Sequence, residues 1–469
     1  MEFILKNVGL VKDSTIKLSG LTVITGSNNS GKSTVGKALY ASIEAFRDLE
    51  QKRDREIKMY FLNSYFDICR ILDLANNIKY LDLDKFDEQT RFVIGKLLGT
   101  RFSPKEIDNL NVFEQLKMYY EVIQTWNAEY FLARTIKAKS DLPKRFLAYL
   151  NNFEEAKDKA LKVIKKGLNF IEGKTLSDYS KEAVLQLLQE EFCGQIFPVN
   201  YSKGERKSKI SLYKQEELGF DFTIKDDKEI INQGDIFNKS FVKNVVLIDD
   251  PYVLDKLREN KIFFYYPIGR SEKNDHQSRL VQILREDKTE SIVEQSINKE
   301  QFASLIDKIV NVAPGELTQK DGNFYYSQNN KKPIRVENLA TGTKLFTIIR
   351  ALIEKGVLTL DTMLILDEPE SHLHPEWQNA MAEIVVLLVK ELGVNVLLTT
   401  HSTNFVLAIE TYMRKYKLQE ISNYYVTEAM EGGQTNYRLV NDNLNEIYAN
   451  FVKYFSEMKA ERAKYLDED

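Results

Sequence analysis

Cysteine and long apolar segments are scarce in this sequence. Only two of its 469 residues are cysteine, Cys69 and Cys193, so neither a disulfide framework nor a cysteine-rich metal site is expected. No uncharged apolar run is long enough to cross a bilayer, and the first residues lack the basic segment and apolar core of a signal peptide. We therefore expect a protein of the reducing cytoplasm that has no membrane partner.

A strong charge of either sign is missing as well. The formal net charge is -4, so no overall basic field indicates a nucleic-acid partner, although a local basic patch would still allow nucleic acid to bind. Hydrophobic residues make up 43% of the chain and charged residues 29%, which predicts a folded protein with a large core. The length indicates two or three domains.

One stretch near the start has the composition of a phosphate-binding loop. It follows a β-branched apolar run over 21–25 and precedes apolar residues at helical spacing that continue to about Arg47. Glycine allows the backbone N–H groups to point at phosphate oxygens, and the new helix adds the positive end of its dipole. We predict that Lys32 neutralises the β and γ phosphates and that the Ser33 hydroxyl ligates Mg²⁺. The predicted nucleotide-binding residues are Gly26, Ser27, Asn28, Asn29, Ser30, Gly31, Lys32, Ser33 and Thr34.

Two adjacent acids end a second apolar run, which predicts a strand over 362–366. Asp367 stands where an aspartate holds Mg²⁺ through water, and Glu368 beside it can polarise an attacking water. The alternative interpretation is a strand that simply ends in solvated acids. The phosphate loop elsewhere in the chain favours the catalytic interpretation.

The four histidines include three close to these acids in sequence. His372 and His374 form a His-x-His pair, which raises a transition-metal site, but such sites usually need three or four ligands and no further Cys or His completes this one. His401 follows an apolar strand predicted over 394–399. That strand should lie near the strand ending in Asp367, so the His401 imidazole could reach a γ phosphate.

Periodicity divides the chain into a core with two insertions. We predict an α/β core over 1–47, 193–266 and 333–469, in which 193–266 contributes antiparallel strands. The segment 48–192 reads as a large helical insertion, and 267–332 as a second, mainly helical one. The predicted strands are 3–8, 15–18, 21–25, 209–213, 220–224, 245–248, 262–266, 323–327, 334–336, 362–366, 394–399 and 421–427, and helices are predicted over 343–354 and 378–392.

The motifs named so far resemble the Walker A, Walker B, D-loop and switch-histidine motifs of ABC-type ATPases. They are Gly26 to Thr34, Asp367-Glu368-Pro369-Glu370, Ser371 to Pro375, and Thr400-His401-Ser402. The nearest branch is the SMC-like and OLD-like AAA-family ATPases of prokaryotes, and the resemblance covers roughly the first 50 and the last 135 residues. It implies an ABC-type P-loop ATPase head, a mixed sheet flanked by helices, with ATP and Mg²⁺ as cofactors and ATP hydrolysis as the activity.

The resemblance also implies roles for particular residues. Glu368 and His401 would be the catalytic residues, and Gln195 is the candidate for the Q-loop glutamine. The signature loop that completes the site of a second copy would contain Ala340, Thr341 and Gly342, just before a helix. Ala340 stands where the family has a serine, and this missing hydroxyl is consistent with slow or partner-dependent hydrolysis.

Three functions fit this resemblance. A transporter subunit is disfavoured because the long helical insertion and altered signature resemble soluble SMC-like proteins. An OLD-type nuclease would need a Toprim domain with its own acidic cluster after His401, and only 68 residues follow that position. The third is a stand-alone ATPase that controls a separate effector, as in bacterial anti-phage systems of the PARIS and Septu type, and this is the function we favour.

The favoured function implies particular partners. These are a second copy in an ATP-dependent head-to-tail dimer, expected to belong to a higher oligomer, a separate effector that is a nuclease or toxin, and a phage protein as trigger. An SMC-like DNA-repair or chromosome-associated ATPase is the first alternative. A non-catalytic ATP-binding scaffold is the second; Glu368 argues against it and Ala340 favours it.

Overall fold

The computed structural model describes residues 1–98, 112–173, 175–198, 206–231, 242–257, 275–286, 302–430 and 432–466. The strand predicted over 262–266 lies outside these residues. Contacts divide the chain into two compact units, one formed by 1–47 with 180–469 and the other by 48–179. Among the described residues, no helix combines the length and apolar character needed to span a membrane.

The first unit is built on a large mixed sheet. The strands of the described chain are β1 Glu2–Val8, β2 Val11–Lys17, β3 Leu21–Thr25, β4 Lys207–Lys214, β5 Glu217–Lys225, β6 Glu229–Ile231, β7 Asn244–Ile248, β8 Glu316–Lys320, β9 Asn323–Ser327, β10 Ile334–Arg335, β11 Thr362–Asp367, β12 Asn395–Thr400, β13 Ser422–Ala429 and β14 Thr435–Leu439. Eleven described strands join in the order β6-β5-β4-β1-β2-β14-β13-β3-β12-β11-β7, and β10-β9-β8 form a small separate sheet.

The large sheet changes character along its width. Strands β13, β3, β12, β11 and β7 run parallel, with Leu398 opposite Val23 and Leu366 opposite Leu398. At the other side, β2, β1, β4, β5 and β6 pair antiparallel. Because the parallel strands share a direction, their carboxyl ends meet at one edge, where ligands bind in open α/β sheets.

Helices cover both faces of the parallel strands. The helices of the described chain are α1 Lys32–Glu44, α2 Leu49–Leu72, α3 Leu74–Asn77, α4 Glu88–Leu97, α5 Val112–Thr125, α6 Ala128–Leu132, α7 Lys144–Asn151, α8 Phe153–Gly173, α9 Leu176–Glu191, α10 His276–Arg285, α11 Ala303–Val312, α12 Thr341–Glu354, α13 Pro375–Leu392, α14 Thr403–Lys415 and α15 Asn445–Leu466.

The side chains of β11 point alternately to the two faces of the sheet, and each face is covered by its own apolar cluster. Leu364 and Leu366 pack with apolar residues of α12 and α13 in one buried cluster. Met363 and Ile365 point the other way and pack with residues of α1 in a second cluster. Successive side chains of a strand face opposite sides, so a continuously apolar strand is stable only when both sides are covered. The predicted mixed α/β fold is confirmed.

Element ends differ from the predicted ones in places where local chemistry decides. The helix predicted from residue 378 begins at Pro375, because proline suits the first helical position and its fixed φ favours the helix. The helix predicted to continue to about Arg47 ends at Glu44, before Asp48 adopts a positive φ of 51°. Strand β2 begins at Val11, four residues before the predicted strand over 15–18, because it pairs with the whole of β1.

The second unit, residues 48–179, is a helical module with its own aromatic core. Trp126, Phe131, Phe146 and Phe153 are fully buried there, and the ring centroids of Phe131 and Phe153 lie 4.9 Å apart. Aromatic rings bury large apolar areas, and the fully buried residues of this cluster all come from the helical unit itself. Further along α9, Val184, Leu187 and Leu188 belong instead to the core beneath the sheet.

Candidate functional site

The phosphate loop lies between β3 and α1 at the carboxyl edge of the sheet. Gly31 has a φ of 76°, a left-handed conformation that favours glycine, and Asn29 has a φ of 60°. A Cβ at position 31 would also lie 3.1 Å from Leu10 Cβ and 3.2 Å from Tyr437 Oη. In the described structure α1 has neither a capping side chain nor an acid in its first turn. Its positive end is therefore left for an anion.

Lys32 is held beneath this loop. Its side chain is only 4% exposed, and Nζ donates hydrogen bonds to the carbonyl oxygens of Gly26 at 3.1 Å and Ser27 at 2.9 Å. Nζ also lies 3.4 Å from Glu368 Oε1. Ser33 is exposed and Thr34 is half-buried at the start of the helix. The ammonium group is thus fixed by backbone oxygens and placed against an acid of another strand.

Asp367 and Glu368 occupy the end of β11. Thr399 of β12 donates its hydroxyl hydrogen bond to Asp367 Oδ1, and the Glu368 N–H donates to the Thr399 carbonyl at 3.0 Å. Glu368 has a φ of 49°, so the chain leaves the strand abruptly at this residue. A non-glycine residue held in this region is strained, and such strain concentrates at functional sites.

His401 meets the same carboxylate from the other side. Its Nδ1 lies 3.3 Å from Glu368 Oε2, and its side chain is 43% exposed. Strand β12 lies between β3 and β11, so the residues that follow these three strands converge. The structure therefore brings together Lys32, Glu368 and His401, which are far apart in sequence.

Glu370 lies beside this group, although the sequence reasoning named it only as part of a motif and gave it no role. It is 1% exposed, and its Oε1 accepts hydrogen bonds from the Thr400 hydroxyl and, at 3.3 Å, from the His401 N–H. Burial raises the pKa of its carboxyl group. The available signal was an acid two residues beyond Glu368 and a threonine immediately before His401.

The predicted signature residues lie apart from this group. Ala340 is exposed just before α12, and Thr341 donates a hydrogen bond from its hydroxyl to Tyr252 Oη at 3.0 Å. A Cβ on buried Gly342 would lie 2.9 Å from Leu373 Cδ2, so this glycine permits close packing of the D-loop. In the described structure, no hydrogen bond or ion pair joins these three residues to Lys32, Glu368 or His401.

Gln195 is exposed, as are His372 and His374, the His-x-His pair that was considered as a metal site but lacks further ligands in the sequence. Gln195 lies in a turn where its N–H donates to the Phe192 carbonyl at 3.0 Å, and its role stays a prediction. His372 and His374 flank the buried Leu373. Across the residues that the structure describes, no group of three His, Cys, Asp or Glu side chains is arranged to hold a metal ion.

A buried ionic cluster lies beside the site, where β7 ends next to β11. His276 Nδ1 is 2.7 Å from Glu191 Oε2, and its Nε2 is 2.8 Å from Asp249 Oδ2. Burial alone would lower the pKa of His276, but Asp249 and Glu191 raise it to about 9. The pKa of Asp249 is lowered, because His276 outweighs the opposing effect of burial. The imidazolium therefore joins α9, β7 and α10 near the sheet edge.

Comparison with known proteins identifies one matching family and several similar solved structures. Residues 1–406 match the family described as AAA ATPase domain. The SMC head domain from Thermotoga maritima is 11% identical, with 94% of this chain and 98% of that chain covered, at a TM-score of 0.34. The Smc head from Pyrococcus furiosus, bound to the C-terminal domain of ScpA, is 10% identical over 98% of each chain, at a TM-score of 0.32. The ATP-binding cassette of an ABC transporter, in its ADP conformation, is 16% identical, with 50% of this chain and 78% of that chain covered, at a TM-score of 0.22. No curated protein matches the chain.

Proposed function

Because the chain belongs to the AAA ATPase domain family, we propose that it binds ATP with Mg²⁺ at the phosphate loop and hydrolyses it to ADP and phosphate with Glu368 as general base. The observation that carries this proposal is the position of the Glu368 carboxylate. One oxygen lies 3.4 Å from Lys32 Nζ and the other lies 3.3 Å from His401 Nδ1. A carboxylate fixed between a phosphate-binding cation and an imidazole is placed to orient and deprotonate water.

The residues around Glu368 fit the remaining parts of this role. The backbone N–H groups from Gly26 to Thr34 would surround the phosphates, and Lys32 would offset their charge. Ser33 and Asp367 would hold Mg²⁺, since hydroxyl and carboxylate oxygens are the ligands this hard cation prefers. His401 would contact the γ phosphate from the end of β12. Mg²⁺ supplies charge neutralisation when bound, and the protein supplies the base and the orientation.

A second copy would complete the site. Ala340, Thr341 and Gly342 stand at the start of α12, a 14-residue helix whose N-terminus suits a γ phosphate from another chain. Ala340 has no hydroxyl group, but Thr341 next to it has one. This is consistent with hydrolysis that is slow rather than absent. We therefore propose an ATP-dependent head-to-tail dimer and, from it, a higher oligomer.

The role of this ATPase in the cell is proposed to be defence. A phage protein would act as the trigger, and the chain would release or activate a separate effector, a nuclease or toxin, in the cytoplasm. The helical unit over 48–179 supports a partner-binding role, because it is a separately cored module attached to the nucleotide-binding unit. Nucleotide-dependent closure of such heads changes which surfaces are exposed.

A phage challenge tests this role. Cells that carry the gene together with its neighbouring genes are compared with cells carrying Lys32→Ala or lacking the neighbours. We expect protection only in the first strain, because Lys32→Ala removes the cation beneath the phosphates. As a matched control, Lys331→Ala changes an exposed lysine outside the site and should protect fully. Protection by the chain without its neighbours would contradict the separate effector.

The same strains separate the alternatives. A DNA-repair ATPase should give no protection and should instead hydrolyse ATP faster when DNA is added. A non-catalytic scaffold should protect equally well with Glu368→Gln, since that change retains the nucleotide-binding residues.

A further inference from the structure

We propose that Glu370 and Thr400 are a positioning pair that fixes His401 relative to Glu368, an inference that rests on the proposed hydrolysis at this site. Both residues stand in motifs quoted from the sequence, but neither was given a catalytic, nucleotide-binding or metal-binding role there. In the described structure Glu370 makes no hydrogen bond or ion pair with the phosphate loop, so its effect would be exerted through His401 and the turn that carries Glu368.

The contacts of Glu370 join the ends of two neighbouring strands. Its Oε1 accepts from the Thr400 hydroxyl and from the His401 N–H at 3.3 Å, and it lies 3.8 Å from His401 Nδ1. Glu370 lies in the turn that follows β11. Thr400 is the last residue of β12, and His401 comes directly after it. A single carboxylate oxygen therefore holds the backbone of His401 through a hydrogen bond and lies near its ring, at a distance longer than a hydrogen bond.

The turn that carries Glu370 is itself closed. Ser371 donates to the Glu368 carbonyl through its hydroxyl at 2.6 Å and its N–H at 3.1 Å. The Leu373 N–H donates to the Glu370 carbonyl at 3.0 Å. Because Glu368 and Glu370 lie in the same closed turn, fixing His401 to Glu370 also fixes it relative to Glu368.

Threonines at the end of β12 alternate between the two acids. The Thr399 hydroxyl bonds Asp367, and the Thr400 hydroxyl bonds Glu370. Successive side chains of a strand point to opposite faces of the sheet, so Thr399 and Thr400 can each bind a different acid. This explains why both positions before His401 carry a hydroxyl.

Burial makes a purely passive role for Glu370 costly. The carboxyl is 1% exposed, and burying such a group is unfavourable unless hydrogen bonds compensate. Its Oε2 is also buried, and the described residues provide it with no hydrogen-bond partner. An apolar side chain could be buried here at a lower free-energy cost. We therefore infer that Glu370 is present for its hydrogen bonds to Thr400 and His401.

The test uses Glu370→Leu, Glu370→Gln and Thr400→Val in the full-length chain. Glu370→Leu removes the acceptor, and we expect kcat to fall roughly 100-fold, the scale for a misplaced catalytic group, with the Kd for ATP changed less than about threefold. Glu370→Gln keeps an acceptor oxygen and should recover most of the lost kcat. The double variant Glu370→Leu/Thr400→Val should be no slower than Glu370→Leu, because the two changes remove the same contact.

A matched control separates positioning from stability. Glu383 on α13 is also buried, and its carboxylate bonds Lys308 and Lys415, neither of which belongs to a nucleotide motif. Glu383→Leu should lower the melting temperature while leaving kcat unchanged. If Glu370→Leu alters kcat no more than Glu383→Leu does, or if the two substitutions at 370 and 400 act additively, the pair does not position His401.

A second readout does not need ATP turnover. The chain has four histidines, so imidazole NMR signals can be assigned with single His→Asn variants. Glu370→Leu should shift or broaden the His401 signal, whereas Glu383→Leu should not. An unchanged His401 signal would overturn the positioning role. If the wild type shows no ATP turnover while Glu370→Leu still shifts the His401 signal, the proposed function alone is refuted and the positioning role stands.

Discussion

The first glycine of the phosphate loop has a neighbour that allows a sharp prediction. A Cβ added at Gly26 would lie 2.6 Å from Thr427 Cγ2 and 2.8 Å from Thr427 Cβ, and closer still to its hydroxyl. Rotating the threonine side chain moves the hydroxyl and methyl away but leaves its Cβ about 0.6 Å short of the 3.4 Å of an ordinary contact. Gly26→Ala must therefore displace β13 or the loop.

The size of this effect follows from overpacking. Forcing one carbon into a filled space costs about 1–3 kcal/mol, and the loop that holds Lys32 through the Gly26 carbonyl would move with it. We expect Gly26→Ala to lose stability by this amount and to bind ATP roughly 10-fold more weakly or worse. Thr427→Gly removes the clashing atoms, so the double variant Gly26→Ala/Thr427→Gly should be more stable than the sum of the single changes predicts.

A double-mutant cycle measures this coupling. Urea unfolding gives the stability of the wild type, both single variants and the double variant, and titration with a fluorescent ATP analogue gives their affinities. We expect a coupling free energy of at least about 1 kcal/mol, with affinity restored in the double variant. Additive changes, or a Gly26→Ala variant that matches the wild type in both assays, would refute the steric argument.

Two further predictions concern charged residues. His276 has its pKa raised to about 9 from a reference of 6.5, so its stabilising effect should be complete below about pH 6.5 and lost as the pH rises through about 9. Urea unfolding of the wild type should therefore show falling stability across that window, by roughly 3 kcal/mol at most, and His276→Gln should remove this dependence while exposed His374→Gln keeps it. Lys32→Ala should weaken ATP binding roughly 10- to 150-fold, the equivalent of one hydrogen bond to a charged group, as measured by equilibrium dialysis; unchanged affinity would contradict the role given to Lys32.

The sequence predicted the fold because its strongest signals are local. The apolar runs that became β3 and β11, and the glycines between β3 and α1, each fix their structure within a few residues. The positions of residues 26–34 and of Asp367-Glu368 next to strand ends could be predicted for the same reason, whereas their roles in nucleotide binding stay predictions.

Contacts between distant residues were beyond such reasoning. Thr427 lies beside Gly26 only because β13 pairs with β3, and nothing local in either segment indicates that pairing. Glu370 and Thr400 meet because β11 and β12 are neighbours in register, with Asp367 opposite Thr399. Sequence patterns predict which face of a strand is buried, but the choice of neighbouring strand depends on the whole chain.

ATP turnover by purified wild type and Glu368→Gln is the most direct test of the central claim. Glu368→Gln keeps the shape of the side chain and removes the base, with exposed Glu420→Gln as the matched control. We expect Mg²⁺-dependent phosphate release by the wild type and the control, and a rate lower by at least about 100-fold in Glu368→Gln with ATP binding retained. Equal rates in the wild type and Glu368→Gln, or no turnover by the wild type with ATP bound, would contradict the assignment of Glu368 as the base.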